Sequence, residues 1–311
     1  MNIINRKLSI TLSICAFLGA SAGSAIADNG VIDSKYQSND QSTADLDVPA
    51  KYTYADAGHA IAGVAMRNRI DGTIGLRGVP KGKRVQRAYI YVNMQAAANE
   101  KLFLPLLFEG NKVTSRLIAR NPDLCWGSQG NYTYRADVTP FIPTWKPNQD
   151  YDLTVLFSTK TNTSGESPWY YNDSSVDFSN GAALVVVYKD MGSGPVSIYD
   201  EFSGGSMSSG SYNFMLDSYG LYPDYPTAFS MAGADGQNNS SGEKSYFNTV
   251  QIAGEGAPNS ASDWDGSTGW PTVQLFDVVS HNVVTSATDT ETVTYDIGVD
   301  CVAPVVMVLD Q

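Results

Sequence analysis

Histidine is almost missing from this chain of 311 residues, and basic residues vanish from most of its second half. With only His59 and His281, a zinc or copper enzyme built on several imidazole ligands is disfavoured. A Ser-His-Asp arrangement through Asp56 and His59 has no Gly-x-Ser-x-Gly elbow behind it, so both histidines read as structural or surface residues. There is no Gly-x-Gly-x-x-Gly fingerprint and no phosphate-cradling Gly-Lys-Ser/Thr, which argues against a nucleotide enzyme. Glutamates number seven, few from which to draw the paired carboxyls of a glycosidase. Beyond the N-terminus, no run has the length and apolarity of a membrane helix.

The scarcity of bases is uneven. Residues 28–190 hold 17 Lys and Arg against 17 Asp and Glu, whereas residues 191–311 hold Lys244 alone against 15 acids. Such a split suggests two modules with different partners, the second needing cations or a basic surface to offset its self-repulsion. The bases concentrate in Arg67, Arg69, Arg77, Lys81, Lys83, Arg84 and Arg87, with Asp71 the one acid among them. In so acidic a protein this segment fits an acidic polysaccharide, a lipid head group or the acidic half of a second copy better than nucleic acid. Contact with a second copy would be head-to-tail self-association.

Arg6 and Lys7, the apolar run Leu8–Ala20 and the Ala25-Ile26-Ala27 site predict a secretory signal peptide over residues 1–27. That places the mature protein outside the cytoplasm, secreted or at the cell surface, with the periplasm as an alternative. In such a compartment Cys125 and Cys301 are expected to form a disulfide, with two buried thiols as the alternative.

Short alternating or continuous apolar runs recur between Gly, Pro, Asn and Asp, among them Val85–Val92, Leu102–Phe108, Leu184–Tyr188 and Val305–Leu309. β-branched and aromatic residues dominate them, and no helical stripe is present. The pattern predicts an all-β fold, an antiparallel β-sandwich of two jelly-roll-like modules in tandem. The expected boundaries are a flexible arm over 28–49, a first module over 50–190 and an acidic second module over 195–311. Asp137-Val-Thr139 and Asp277-Val-Val-Ser280 each precede a strand 16 residues on, a weak repeat with an Asx-type turn expected at each aspartate.

Gly78-x-Pro80-x-Gly82 before Ala88-Tyr-Ile-Tyr91, Tyr134-Arg-Ala-Asp-Val-Thr139 and Asn180-Gly-Ala-Ala-Leu-Val-Val-Val-Tyr-Lys-Asp190 resemble a family of secreted bacterial β-rich domains of unknown function. The resemblance spans roughly residues 75–200. It implies export and a β-sandwich, and it brings no activity or site residues with it. The departure is a polar insertion around Trp169-Tyr170-Tyr171.

Aromatic residues in loops give the strongest binding signal. Trp169, Tyr170, Tyr171, Tyr222, Trp264 and Trp270 offer flat apolar faces with polar edges, suited to sugar rings or a protein partner. Two oxygen-rich loops are candidates for calcium: Asp235 to Asn239 with Glu243 downstream, and Asp263-Trp264-Asp265-Gly266. Together these signals predict an exported protein of adhesion or matrix assembly that binds polysaccharide or a surface protein, with calcium as a stabilising ion. The alternative is a carbohydrate-active enzyme, or its sugar-binding module, using loop carboxylates.

Overall fold

The computed structural model describes residues 45–66, 69–96, 101–124, 128–156, 177–203, 205–218, 226–236, 242–258, 261–265 and 276–311. The chain is all-β, and its strands form two sheets. β1 (Asp45–Val48) and β2 (Tyr52–Tyr54) belong to the second sheet. The first sheet follows: β3 (Ala57–Ala65), β4 (Asp71–Gly75), β5 (Arg84–Ala96), β6 (Phe103–Phe108), β7 (Asn111–Asn121), β8 (Gly130–Asp137), β9 (Asp150–Val155) and β10 (Phe178–Lys189). The chain then returns to the second sheet with β11 (Val196–Tyr199), β12 (Met207–Asp217), β13 (Pro226–Ala234), β14 (Lys244–Phe247), β15 (Val250–Gly254), β16 (Phe276–Val284) and β17 (Thr290–Asp310). Among the described residues no helix is long and apolar enough to cross a membrane.

The first sheet runs β3-β10-β5-β8-β7-β6-β9-β4, all antiparallel. Its terminal strands β3 and β4 lie against each other, and a Cβ on Gly72 would touch Val64, so the sheet curls around one core. The hairpin β6–β7 turns on Glu109 and Gly110, both at positive φ (51° and 72°), the backbone that a right-twisted two-residue turn requires. In the second sheet β17 is the spine. Its first part pairs with β12 and β14, and its last part pairs with β11 and β13 across a bulge at Pro304.

The expected arm ends earlier than residue 49. Asp45–Val48 pairs in parallel with β12, so this stretch is sheet, bound by backbone hydrogen bonds. The two Asp-Val units also differ. Thr139 donates its backbone N–H to the Asp137 carboxylate, the expected Asx turn, whereas Asp277 is fully buried inside β16 opposite Gly233. The shared spacing therefore hides two different local structures.

Three apolar layers result. Leu184, Val186 and Tyr188 of β10 point into the first sheet's own core, while Ala183, Val185 and Val187 point the other way. The outward set meets Val305, Val306 and Val308 of β17, which places a dry layer between the sheets. A strand buried on both faces reads as a continuous apolar run rather than an alternating one. Met307 and Leu309 face the second sheet's core with Phe214, Phe229 and Trp264.

Candidate functional site at the sheet junction

Polar groups ring the dry layer. On β3, Ala57 and Ile61 face the second sheet, and His59 shares their side of the strand. Its Nδ1 meets the Asp310 carboxylate, and its Nε2 lies 2.7 Å from Ser230 Oγ. Ser230 Oγ in turn lies 2.7 Å from Ser280 Oγ. Ser230 is 2% exposed and His59 8%, whereas Ser280 faces solvent on β16. The line Asp310–His59–Ser230–Ser280 thus runs from a carboxylate through a buried imidazole to an accessible hydroxyl. Asp56, the carboxylate nearest His59 in the sequence, pairs instead with Lys189 at 3.4 Å. Nothing local joins His59 to Asp310, 251 positions away, so no spacing in the sequence announces the arrangement.

Beside this line the junction opens into a cavity of about 480 Å³. Tyr188 and Asp190 come from the first sheet's last strand and the turn after it; Thr227, Asn282 and Asp310 come from the second sheet. The Tyr188 phenol is pushed up to about 12 by burial, then by Asp310 and Asp190, so it stays a neutral donor and acceptor at neutral pH. Asp190 pairs with Lys83 and Asp310 with His59, so each carboxylate in the wall carries a built-in partner. The wall is therefore rich in hydroxyl, amide and carboxylate groups. Its volume lies within the range of about 300–1,000 Å³ usual for small-molecule sites.

Two further networks cross the junction and act as clamps. Arg135 of β8 bonds the fully buried Asp200, to which Tyr91 Oη donates at 2.8 Å, while Tyr52 stacks on Tyr89 with ring centroids 5.1 Å apart. Burial raises the Asp200 pKa, and Arg135 and Tyr91 offset only part of the rise. The second network is a row of amides. Asn180 donates to Asn93 at 2.7 Å, Asn93 to Asn131 at 2.6 Å, and Asn131 to Asp235 Oδ2 at 2.8 Å. Gln95 supplies the other Asp235 oxygen at 2.9 Å. Asp235 is 3% exposed, so both bonds are made away from water.

Of the aromatic candidates, Trp169, Tyr170, Tyr171, Tyr222 and Trp270 lie outside the described residues. Trp264 is no contact residue: it is 1% exposed and meets Tyr295 edge-on at 5.2 Å. The indole is admitted by Gly233, where a Cβ would fall 1.9 Å from Trp264 Cζ3. Asp235 is spent on the amides just described, and Asp263 accepts from His281 Nε2 at 2.8 Å. Glu243 accepts from Ser262 Oγ and lies against the Asp300 carboxyl. Burial, then Asp300 and Asp265, push the Glu243 carboxyl up to about 7. Among the described residues no three metal-ligating side chains converge, and Asn239 lies outside them. Cys301 sits on β17 opposite Ser208, whereas Cys125 is outside the described residues. Of the basic segment, Lys83 is engaged by Asp190 and Arg69 lies 3.9 Å from Asp71. Lys81, Arg84 and Arg87 are exposed, and Arg67 is not described.

Fold and site define an all-β protein whose two sheets enclose a polar cavity at their rim. No family model matches the chain, and no curated protein matches it. The solved structures with some likeness include a peptide-N(4)-(N-acetyl-beta-D-glucosaminyl) asparagine amidase, 11% identical, covering 82% of this chain and 96% of that one at a TM-score of 0.26. Another is BuGH86 in complex with neoagarooctaose, 12% identical, covering 83% of this chain at a TM-score of 0.23. The chain spans 33% of the length of BuGH86. Similarity this low assigns neither an activity nor a ligand.

Proposed function

We propose that the chain is exported and works in adhesion or matrix assembly, binding a polysaccharide or a surface protein at the junction cavity. One observation carries the reading. The cavity wall presents Asn282, Thr227, Tyr188 and two carboxylates with fixed partners, a set that matches vicinal hydroxyls better than an ion or an apolar ligand. Carboxylates already held by Lys83 and His59 keep their acceptor oxygens oriented. The aromatic residues Trp169–Tyr171 belong to the proposal as an additional contact. Co-sedimentation of the mature protein with insoluble polysaccharides tests it. Asn282→Trp, which fills the cavity from an exposed strand, should abolish co-sedimentation with the melting temperature unchanged. Full retention in that variant would move binding elsewhere, and turnover of the polysaccharide would favour the enzyme alternative.

Two further expectations belong to the same proposal. The Cys125–Cys301 disulfide is supported by the path of the chain before residue 125. Ser206 Oγ donates to the Pro122 carbonyl at 2.8 Å, and the adjacent Met207 and Ser208 pair with Val302 and Cys301. A calcium ion beside Glu243 rests on the oxygen-rich sequence of this stretch and on its raised carboxyl, which a cation would hold ionised.

A further inference from the structure

We infer that Ser280 is a nucleophile, activated through Ser230 and His59 and directed at small carboxylic esters presented at the junction cavity. The inference is independent of the polysaccharide reading, since it stands on the hydrogen-bonded line alone. The proton directions on the line follow from one assignment, in which a neutral His59 carries its proton on Nδ1, facing Asp310. Ser280 donates to Ser230 Oγ across 2.7 Å, Ser230 donates to His59 Nε2 across 2.7 Å, and His59 Nδ1–H donates to Asp310. Asp310 fixes the tautomer that leaves Nε2 free to accept, the role a carboxylate plays behind a catalytic imidazole. Ser230 itself is sealed from solvent, so it cannot meet a substrate. The accessible hydroxyl is one bond further out, at Ser280.

The position suits acyl transfer in two other respects. Asn282, two residues along the same strand face, and Asp310 both line the cavity, and Ser280 stands just outside its wall, so an ester held there would extend past Asn282 to reach the hydroxyl. Among the described residues β16 pairs only with β13. Backbone groups alternate along a strand, so an amide at Ser280 or at its immediate neighbours points away from the sheet, where it can stabilise an oxyanion. In the acylation step Ser280 Oγ bonds to the ester carbonyl carbon and the bond to the alcohol breaks. The Ser280 proton passes to Ser230 as the Ser230 proton passes to His59, and the departing alcohol takes its proton from a solvent water at the exposed strand. The hydroxide so formed attacks the acyl carbon, and as the acid leaves Ser280 recovers its proton from His59 through Ser230, so no oxidant or co-reactant is needed.

A fluorophosphonate probe on the mature protein tests this, because its P–F bond breaks as a P–O bond to Ser280 forms. Peptide mapping should return a single adduct at Ser280, absent from Ser280→Ala. Labelling of Ser230→Ala and of Asp310→Asn should be slower by about 100-fold, the scale of proton-transfer assistance. Asp310→Glu should recover most of the rate, which loss of structural packing would not do. His59→Gln should behave as Ser230→Ala. If it fails to fold, the Asp310 pair and Ser230→Ala decide the matter, with melting temperatures confirming their folded state. No adduct at Ser280, or labelling as fast in folded Ser230→Ala as in the native chain, would overturn the inference and leave the line as a structural clamp.

Discussion

At the residue scale, the junction is held by a few side chains whose removal leaves specific partners stranded. Asp235 is one. Its replacement by Ala strips Gln95 Nε2 and Asn131 Nδ2 of their acceptors inside the protein. Buried donors without partners cost about 1–3 kcal/mol each, so urea unfolding should show Asp235→Ala destabilised by about 2–5 kcal/mol. Gly233 is another. The Cβ of Gly233→Ala would overlap the Trp264 ring, and overpacking of this kind costs about 1–3 kcal/mol. Trp264 fluorescence should shift to longer wavelength in that variant as the indole is displaced from its place beside Tyr295. In the sequence, Asp263-Trp264-Asp265 reads as an exposed turn because acids flank the indole. The strand glycine that makes room for it lies 31 positions upstream, beyond the reach of any local pattern.

At the scale of elements, periodicity was legible where burial is local and silent where it is not. The alternation of Tyr151, Leu153 and Val155 with Asp150, Asp152 and Thr154 marks β9 as a strand with one buried face. The unbroken run Ala183–Val187 marks β10 as buried on both faces, without revealing that its second face meets β17. Carboxylates show the same divide. Glu243 carries the charge-to-burial conflict of the acidic half, with its pKa raised from about 4.5 to about 7 by burial, Asp300 and Asp265. Folding therefore favours its protonated form. The stability it contributes is complete below about 4.5 and is lost as pH rises through about 7. In chelator, the melting temperature should fall between about pH 5 and about pH 8, and Glu243→Gln should flatten that slope. Millimolar calcium should restore the loss in the native chain and not in the variant. A slope identical in both proteins would remove Glu243 from the account.

At the scale of the whole molecule, the uneven charge of the chain becomes intelligible. Acids of the second half are met at the junction by donors of the first: Asp200 by Arg135, Asp235 by Gln95 and Asn131, and Asp310 by His59. Lys51 pairs with Glu201 at 2.6 Å in the same sense. The split was plain in the sequence, but its resolution within one chain needed the register of strands far apart in it. A Cys125–Cys301 bond would add a covalent tie between the same halves. Non-reducing peptide mapping should return the two cysteines in one cross-linked fragment, and Cys301→Ser should lower stability by about 2–5 kcal/mol. The central claim is that the rim of this junction is where the protein meets its ligand. Hydrogen–deuterium exchange of the mature protein, with and without the polysaccharide it co-sediments with, tests that most directly. Protection is predicted in residues 190–194, 226–228 and 280–284, which carry the cavity wall and the strand beside it. Protection confined to residues 165–175, with the junction unchanged, would contradict it.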